Sequence, residues 1–342
     1  MSGAPLAGNP PLLFIIGGGD EADGIVQSGS KLVASGTTDL DRLVEREPYH
    51  RLHVTRNLFR KGRVPELDSY RVLVNLITEP EKNVRVLEIV RKLLRGARGR
   101  VINRPEAVLR STRDQVARRF DGVPGLIVPK AIRLQGGKPA IASRALEKAG
   151  FAPPLILRRV GTHGGKILGR FDDADEAVTA LETGDHLATE FVDFQSADGL
   201  YRKYRVFFIG SHFILRHRLV SDEWNVHAKD RGRFMAQRPE LVAEERALFE
   251  TEEPLPAPII EVLAAVRERM GLEFFGMDFG VTPDGSVVLF EANATMSFFP
   301  FSPDPQFDYL KRCFAPAQAA FRELLGLPPQ AAPAVRLPLE SA

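Results

Sequence analysis

A hairpin motif near the end of the chain constrains the fold more than any other feature of the sequence. Two β-prone runs within Phe275–Asn293 flank Asp284 and Gly285, a dipeptide that signals a tight turn between antiparallel strands. A turn centred on this dipeptide places Asp278 directly opposite Glu291. The chain should therefore contain an antiparallel sheet in which two carboxylates face each other.

The same pairing sorts the other side chains of the hairpin, because successive residues of a strand point to opposite faces of a sheet. Pro283 has no N–H to donate beside the turn, so a wider loop is an alternative, and a symmetric widening leaves the pairing unchanged. One face is predicted to be apolar and to carry Phe279, Val281, Val288 and Phe290. The other face is predicted to be polar and to carry Asp278, Glu291 and Asn293.

The two facing carboxylates imply a bound cation. Asp278 and Glu291 would repel each other across a β-ladder unless something positive lay between them. Carboxylate and amide oxygens suit Mg²⁺, and three such ligands need phosphate oxygens and water to complete the shell. Gly276 and Gly280 flank Asp278 on the same face and leave room for a ligand. The alternative is a solvated hairpin face that carries acidic residues by chance.

Cations and backbone donors for a phosphate group are also present. Lys130 follows a short apolar strand and Arg158 ends another, so both can reach a cleft, although each alone is more often a surface cation. The glycine-rich segment Gly161–Lys166 can present backbone N–H groups to phosphate, but it lacks the spacing of a Walker loop.

Two further cations alternate along a predicted strand. Lys203 and Arg205 lie on one face of a strand that runs from Tyr201 into Phe207–Ile209. Arg205 is the better candidate to contact a transferring phosphoryl group, because its fork matches phosphate oxygens. A salt-bridged sheet face is the alternative interpretation.

A polar and aromatic group follows in the next strand and loop. Its two histidines are far apart in sequence and have no cysteine beside them, which disfavours a transition-metal site. A lining for an anionic substrate and an ordinary surface loop both remain compatible with the pattern. The candidate substrate residues are His217, Arg218, Trp224 and His227.

Length and composition limit the class of protein. A chain of 342 residues exceeds one compact core, so two or three domains are expected. A net charge of +2 disfavours a broad nucleic-acid or membrane surface, and no stretch has the apolar length of a transmembrane helix. Cys313 is the only cysteine, so no intrachain disulfide can form. We expect a cytoplasmic protein that binds neither nucleic acid nor membrane.

The order of predicted elements suggests four segments. Strands alternate with helices over 1–103, which predicts an N-terminal parallel α/β layer. Two mixed α+β lobes are predicted over 104–186 and 187–327, followed by a flexible tail rich in proline and alanine over 328–342. Three elements are specified further: a helix from Pro105 through Arg119, a strand over Ile127–Ile132, and a helix over Ser143–Gly150 with Ser143 as its N-cap.

Together these motifs resemble the ATP-grasp superfamily, particularly its glutathione-synthetase-like and ribosomal-protein glutamate-ligase-like branches. The resemblance runs from about Val101 to Phe299, and its last two motifs are the most specific. Its motifs are Val101–Pro105, Ser111–Asp114, Leu155–Arg158, Gly161–Gly165, Ala188–Val192, Met277–Asp278 and Phe290–Asn293.

The resemblance implies an ATP-grasp fold in which ATP is held between two α+β lobes. Arg158 departs from the family pattern, where that position is usually lysine. The implied nucleotide-binding residues are Lys130, Arg158, Lys203, the loop residues Gly161, Thr162, His163, Gly164 and Gly165, and the adenine-binding hinge Glu190, Phe191 and Val192. The implied magnesium ligands are Asp278, Glu291 and Asn293, and Arg205 matches the arginine at the transferring phosphate.

The implied activity is ATP- and Mg²⁺-dependent ligation of a carboxylate to an amine through an acyl phosphate. Both substrates would be small molecules or peptides, and a homodimer is compatible with the sequence. Two alternatives use the same nucleotide site: a small-molecule kinase with a hydroxyl acceptor, and a nucleotide-binding module without catalysis.

Overall fold

The computed structural model describes residues 12–18, 25–28, 31–34, 37–44, 47–55, 57–61, 66–161 and 167–329. In the amino-terminal part, the strands are β1 (Leu12–Gly17), β2 (Ile25–Ser28), β3 (Lys31–Ala34), β4 (His50–Val54), β5 (Val72–Asn75) and β6 (Arg100–Ile102), with helix α1 (Val84–Leu94). Short 3-10 helices span Leu40–Val44 and Leu58–Lys61.

Four of these strands form the first sheet, in the order β4-β1-β5-β6, and every neighbouring pair is parallel. All six residues of β1 are buried, as expected for a parallel sheet that is covered on both faces. Helix α1 buries its apolar stripe in the core cluster of β1 and β5. The predicted parallel α/β layer is confirmed.

The second, or central, sheet contains β8 (Ala131–Gly136), β9 (Leu155–Arg159), β10 (Gly169–Phe171) and β11 (Gly184–Glu190), in the order β10-β9-β11-β8. All its neighbouring strands are antiparallel. Helices α4 (Pro139–Lys148) and α5 (Ala174–Thr179) pack on it. This unit encloses an apolar core of its own, which includes Leu134, Leu146, Leu155 and Leu157.

The third sheet has the order β13-β12-β14-β15-β7. Its strands are β7 (Leu126–Ile127), β12 (Tyr201–Ile209), β13 (His212–Ser221), β14 (Phe274–Val281) and β15 (Val287–Asn293). Around it lie α3 (Arg113–Phe120), α6 (Asp230–Arg233), α7 (Pro239–Leu248), α8 (Ala257–Met270) and α9 (Phe314–Leu324), with 3-10 segments at Met235–Gln237 and Pro305–Cys313. The short helix α2 (Pro105–Leu109) packs on α1. None of the helices in the described ranges combines the length and the apolar character that a membrane crossing requires.

Three predicted elements differ from the structure. The helix predicted from Pro105 is two helices, α2 and α3, and the strand predicted over Ile127–Ile132 is divided between β7 and β8, which belong to different sheets. Ser143 lies inside α4 instead of capping it, because the helix begins earlier, at Pro139. The domain limits stay a prediction. The limit between 186 and 187 falls inside β11, and most of the tail lies outside the described residues.

The hairpin β14–β15 pairs Asp278 with Glu291 as predicted, but by a different route. The loop between Thr282 and Ser286 contains three residues, with Gly285 at φ 89°. This asymmetric loop shifts the pairing by one, so that Val281 faces Val287. A β-bulge at Phe290 shifts it back before Glu291.

The shift that the loop introduces also changes which side chains share a face between the loop and the bulge. The predicted apolar face is correct at Phe279 and Val281 but wrong at Val288 and Phe290. Val287 and Leu289 take their places beside Phe279 in the main core. Val288 and Phe290 point to the polar face instead, and the Phe290 ring lies 4.6 Å from that of Phe194.

Candidate functional site

A cleft of ≈ 380 Å³ separates the central sheet from the third sheet. Its volume lies in the range of small-molecule sites. It brings together most of the predicted site residues: Arg158, Glu190, Phe191, Val192, Lys203, Arg205, His217, Trp224, His227, Asp278 and Glu291.

One wall of the cleft carries a row of four polar residues on adjacent strands. Glu291 pairs with Asp278, Asp278 with Arg205, and Arg205 with His217. Residues that pair directly across neighbouring strands project from the same face of a sheet. The row therefore crosses β15, β14, β12 and β13 and presents two carboxylates, a guanidinium and an imidazole to the cleft.

Asp278 is the most strongly held carboxylate of the row. Arg205 donates from Nε to Oδ1 at 2.6 Å and from Nη2 to Oδ2 at 2.8 Å, and Lys203 Nζ lies 3.5 Å from Oδ2. Burial alone would raise the pKa of Asp278, but Arg205 and Lys203 hold it at about 2. The side chain is therefore an anion although only 4% of the residue is exposed.

Glu291 is positioned by two neighbours. Arg113, the first residue of α3, approaches its Oε1 at 2.6 Å, and Asn293 Nδ2 donates to the same oxygen at 2.6 Å. The other end of the Asn293 amide accepts the backbone N–H groups of Thr295 and Met296, at 2.8 and 3.0 Å. Asn293 thus orients Glu291 and does not line the main cleft.

The cationic side chains that line the cleft are half-buried and outnumber its carboxylates. Burial lowers the pKa of Lys203, and burial together with Arg113 lowers the pKa of Arg158 to about 9. Arg158 Nε has no hydrogen-bond partner among the described residues. Counted with Arg205, four cationic side chains line the cleft with three carboxylates, Glu190, Asp278 and Glu291, so the site suits an anionic ligand.

The opposite end of the cleft is built by the segment that leaves the central sheet. Lys130 accepts at its carbonyl from the Glu190 N–H at 3.0 Å, and its Nζ lies 3.3 Å from Glu190 Oε1. The ring of Phe191 lies 5.4 Å from Trp224 in an edge-to-face contact and 4.2 Å from the Arg170 guanidinium. Lys130 itself is exposed and outside the cleft lining.

Two of the four candidate substrate residues differ sharply in environment. Burial, together with the surrounding Arg205, Arg231, Arg216 and Lys203, keeps the pKa of His217 well below its usual value, and its Nε2 has no partner in the described chain. Arg218, the next residue of β13, points away from the cleft and donates to Glu244 at 3.0 Å.

Strand alternation explains the difference, so the prediction that Arg218 lines the site is wrong. Trp224 and His227 do line the cleft. The backbone N–H of Lys229 donates to His227 Nδ1 at 3.3 Å. In the neutral tautomer, the proton of His227 therefore sits on Nε2.

A second, smaller cleft adjoins the first at Glu291 and Arg158. It lies among the loop after β5, the start of α3 and the central sheet, and its lining includes Glu79, Glu81, Asp114, Arg133, Gly161 and Asn293. Thr162, His163, Gly164 and Gly165 lie outside the described residues.

Arg113 and Arg133 were not identified from the sequence. The motif Ser111–Asp114 was part of the resemblance, yet nothing in it assigned a role to Arg113.

Asp198, which follows the hinge, forms an exposed pair with Arg202 at 2.7 Å. Among the described residues, no group of three or more histidine, cysteine or acidic side chains could hold a metal alone.

Solved structures resemble the chain over nearly its whole length. VanG D-Ala:D-Ser ligase from Enterococcus faecalis matches with a TM-score of 0.53 at 14% identity, over 94% of this chain and 99% of that one. An ATP-grasp ligase, PsnB, complexed with a precursor peptide and AMPPNP, has a TM-score of 0.51 at 12% identity, over 94% and 100%. D-alanyl-alanine synthetase A from Vibrio cholerae has 0.50 at 14%, over 91% and 98%.

At these identities the likeness concerns the fold alone. No family model matches the sequence, and no curated protein matches it.

Proposed function

We propose that this chain, which has the ATP-grasp fold, is an ATP-dependent ligase that joins a carboxylate to an amine. The observation that carries the proposal is the row of Glu291, Asp278 and Arg205 on one wall of the cleft, with Arg158 on the other. Facing carboxylates beside several half-buried cations suit a magnesium–triphosphate group. The similar structures named above are a ligase, an ATP-grasp ligase and a synthetase.

The nucleotide base would lie at the hinge end of the cleft. Ile156, Leu219 and Phe290 supply apolar walls there. No hydrogen bond joins the Val192 N–H to another described residue, whereas the Phe191 N–H already donates to Pro154 at 2.9 Å. Val192 thus offers a backbone N–H that can donate to an adenine ring nitrogen, and Glu190 offers a carboxylate beside it.

The phosphates would extend from the hinge toward the row. Lys203, Arg205 and Arg158 would neutralise phosphate oxygens, which would give Arg158 Nε a hydrogen-bond partner. Asp278 and Glu291 would hold Mg²⁺ together with phosphate oxygens and water, and Asn293 would keep Glu291 oriented. Bound there, Mg²⁺ would neutralise charge on the transferring phosphoryl group.

The reaction would proceed in two steps. In the first, a carboxylate oxygen of the substrate attacks the γ-phosphorus of ATP, the bond to the β-phosphate oxygen breaks, and an acyl phosphate and ADP form. In the second, an amine attacks the acyl carbon, phosphate leaves, and the amine loses a proton to give the amide. Positioning and charge stabilisation suffice for both steps, so no side-chain nucleophile is required.

The second cleft is the proposed place for the acceptor amine, because it opens beside Glu291 and Arg158. One of the similar structures is named a D-Ala:D-Ser ligase, and another is complexed with a precursor peptide. Small amino acids and peptides are therefore the first substrates to test here.

An ADP-release screen tests the proposal. Purified protein is incubated with ATP, Mg²⁺ and single carboxylic acids or peptides, with hydroxylamine as a substitute amine. We expect ADP and a hydroxamate from the correct acid, because hydroxylamine traps acyl phosphates. A stable phosphate ester without hydroxamate would establish the kinase alternative. ATP binding without ADP release across the screen would favour the non-catalytic module.

A further inference from the structure

The central sheet is joined to the rest of the molecule in a way that makes its position adjustable. The chain enters it from β7 through Val128–Lys130 and leaves it toward β12 through Phe191–Phe194. Its apolar core is separate from the clusters that hold the other two sheets together. Two chain crossings and polar contacts therefore decide where this sheet sits, since no shared apolar core does.

Arg133 makes the most extensive of these polar contacts in the described chain. Its guanidinium binds Glu81, in the loop after β5, with Nη2–Oε1 at 2.5 Å and Nη1–Oε2 at 3.3 Å. The same group binds Asp114 of α3, with Nη2 and Nε at 2.9 and 3.2 Å from Oδ1. One side chain of the central sheet thus holds carboxylates from two other parts of the fold.

One of the two carboxylates that Arg133 binds, Asp114, is itself held in place by other side chains. Thr112 Oγ1 donates to Asp114 at 2.9 Å and Arg118 donates at 3.1 Å, so Asp114 is oriented before Arg133 reaches it. The Asp114 side chain is 9% exposed, Glu81 22% and Arg133 38%. At this burial the contact is stronger than an exposed surface pair, and the planar guanidinium can bind both carboxylates at once.

Arg133 shares a face of the central sheet with Arg158, a residue of the proposed phosphate site. Arg133 and Arg158 both pair with Leu187 of β11, from opposite sides, so the three side chains project from one face of the central sheet. On α3, Arg113 binds Glu291 of the third sheet, and its neighbour Asp114 binds Arg133 of the central sheet. The first turn of α3 thus ties both sides of the site together.

We propose that Arg133 is a positioning residue, which sets the distance between Arg158 on the central sheet and Glu291 on the third sheet by binding Glu81 and Asp114 together. This inference rests on the proposed function for its kinetic consequences and on the fold alone for its structural ones. Arg133 does not touch the reacting groups. It closes the side of the site that is opposite the hinge, where the acceptor amine would enter.

The experiment compares Arg133→Gln, Arg133→Lys and Asp114→Asn with the control Arg144→Gln. Arg144 is an exposed residue of α4 on the same unit, so the control removes one charge without touching the contact. Hydrogen–deuterium exchange is measured on the full chain at the hydrogen-bonded amides of the two crossings, Lys130 and Phe191. We expect exchange there to rise by about tenfold in Arg133→Gln, the effect of losing a charged hydrogen bond in a partly buried site.

Kinetics supply the second readout. Arg133→Gln should lower kcat and raise the acceptor KM, with nucleotide affinity nearly unchanged, and Arg133→Lys should recover only part of the loss because an ammonium cannot bind both carboxylates in a fork. Asp114→Asn added to Arg133→Gln should cause little further change. Unchanged exchange at both crossings would overturn the inference whatever the activity, whereas failure to release ADP in the wild type would overturn the proposed function alone.

Discussion

Arg205 binds both carboxylate oxygens of Asp278 across neighbouring strands, at 2.6 and 2.8 Å. In this state the buried carboxylate is compensated by a side chain that also faces the proposed phosphate site. A metal ion and a triphosphate would share these two residues between them, the cation with Asp278 and the anion with Arg205. The ion pair thus keeps Asp278 and Arg205 charged and gives each of them a hydrogen-bond partner when no ligand is bound.

The first prediction concerns the pH dependence of this pair. The folded-state pKa of Asp278 is about 2 and lies below the ordinary value of 3.8, so its contribution to stability is present above about pH 4 and is lost as the pH falls toward 2. That shift corresponds to about 2 kcal/mol. Urea denaturation of wild type and Asp278→Asn should therefore differ at pH 6 and converge as the pH approaches about 2.

The same variant should be folded at neutral pH and should release ADP at least roughly a hundredfold more slowly, the size of effect seen when a charge-stabilising group is removed. Asp308→Asn, which changes an exposed carboxylate paired with Lys311, is the control. Full Mg²⁺-dependent turnover in Asp278→Asn would remove Asp278 from the proposed site.

The second prediction concerns Glu291. Glu291→Gln keeps an oxygen that can accept from Asn293 and Arg113 but loses the charge. The Mg²⁺ concentration for half-maximal ADP release should rise by about tenfold, in the range found for weakened metal ligation. Glu244→Gln changes a carboxylate outside the cleft and should leave the Mg²⁺ titration unchanged. Equal titrations for Glu291→Gln and wild type would contradict the metal role.

The third prediction uses the only tryptophan of the chain, Trp224, whose ring lies 5.4 Å from Phe191 at the hinge. A nucleotide base entering beside Phe191 should alter the surroundings of the indole. We expect a saturable change in intrinsic fluorescence on titration with ATP, absent in Trp224→Phe. Calorimetric binding of ATP without any change in emission would place the base elsewhere.

The fourth prediction separates two consecutive residues that point to opposite faces of β13. His217→Ala should lower kcat/KM by about tenfold, since its imidazole lies on the row beside Arg205. Arg218→Ala should keep kcat/KM within about twofold but lower the free energy of unfolding by about 2 kcal/mol, through loss of its bond to Glu244. The opposite pattern in the two variants would return Arg218 to the site.

The alternation of side chains along β-strands was the sequence pattern that predicted the site best. Alternation along the strands placed Lys203 with Arg205 and Asp278 opposite Glu291, and all four line the cleft. The same rule, applied to His217 and Arg218, shows that only one of two consecutive strand residues can face a cleft. The sequence analysis grouped both residues because they belong to one polar cluster. Arg133 could not be found in this way, because its partners Glu81 and Asp114 are brought to it by the arrangement of three sheets.

Chain crossings and bulges, which interrupt regular strands, limited how well the other elements could be predicted from the sequence. The division of Ile127–Ile132 between two sheets depends on a chain crossing at Pro129, which a run of β-prone residues does not reveal. The hairpin pairing was predicted correctly at Asp278 and Glu291 because two one-residue shifts cancel, whereas the residues between those shifts were assigned to the wrong faces.

The bulge makes Phe290 the one residue of β15 without a partner on β14. Leu289 and Glu291 pair with Phe279 and Asp278 on either side of it, so deleting Phe290 would leave the two carboxylates facing each other. The deletion would remove the aromatic ring that lies beside Phe194 in the cleft. Relatives of this chain can therefore lack this residue and still retain the facing carboxylates.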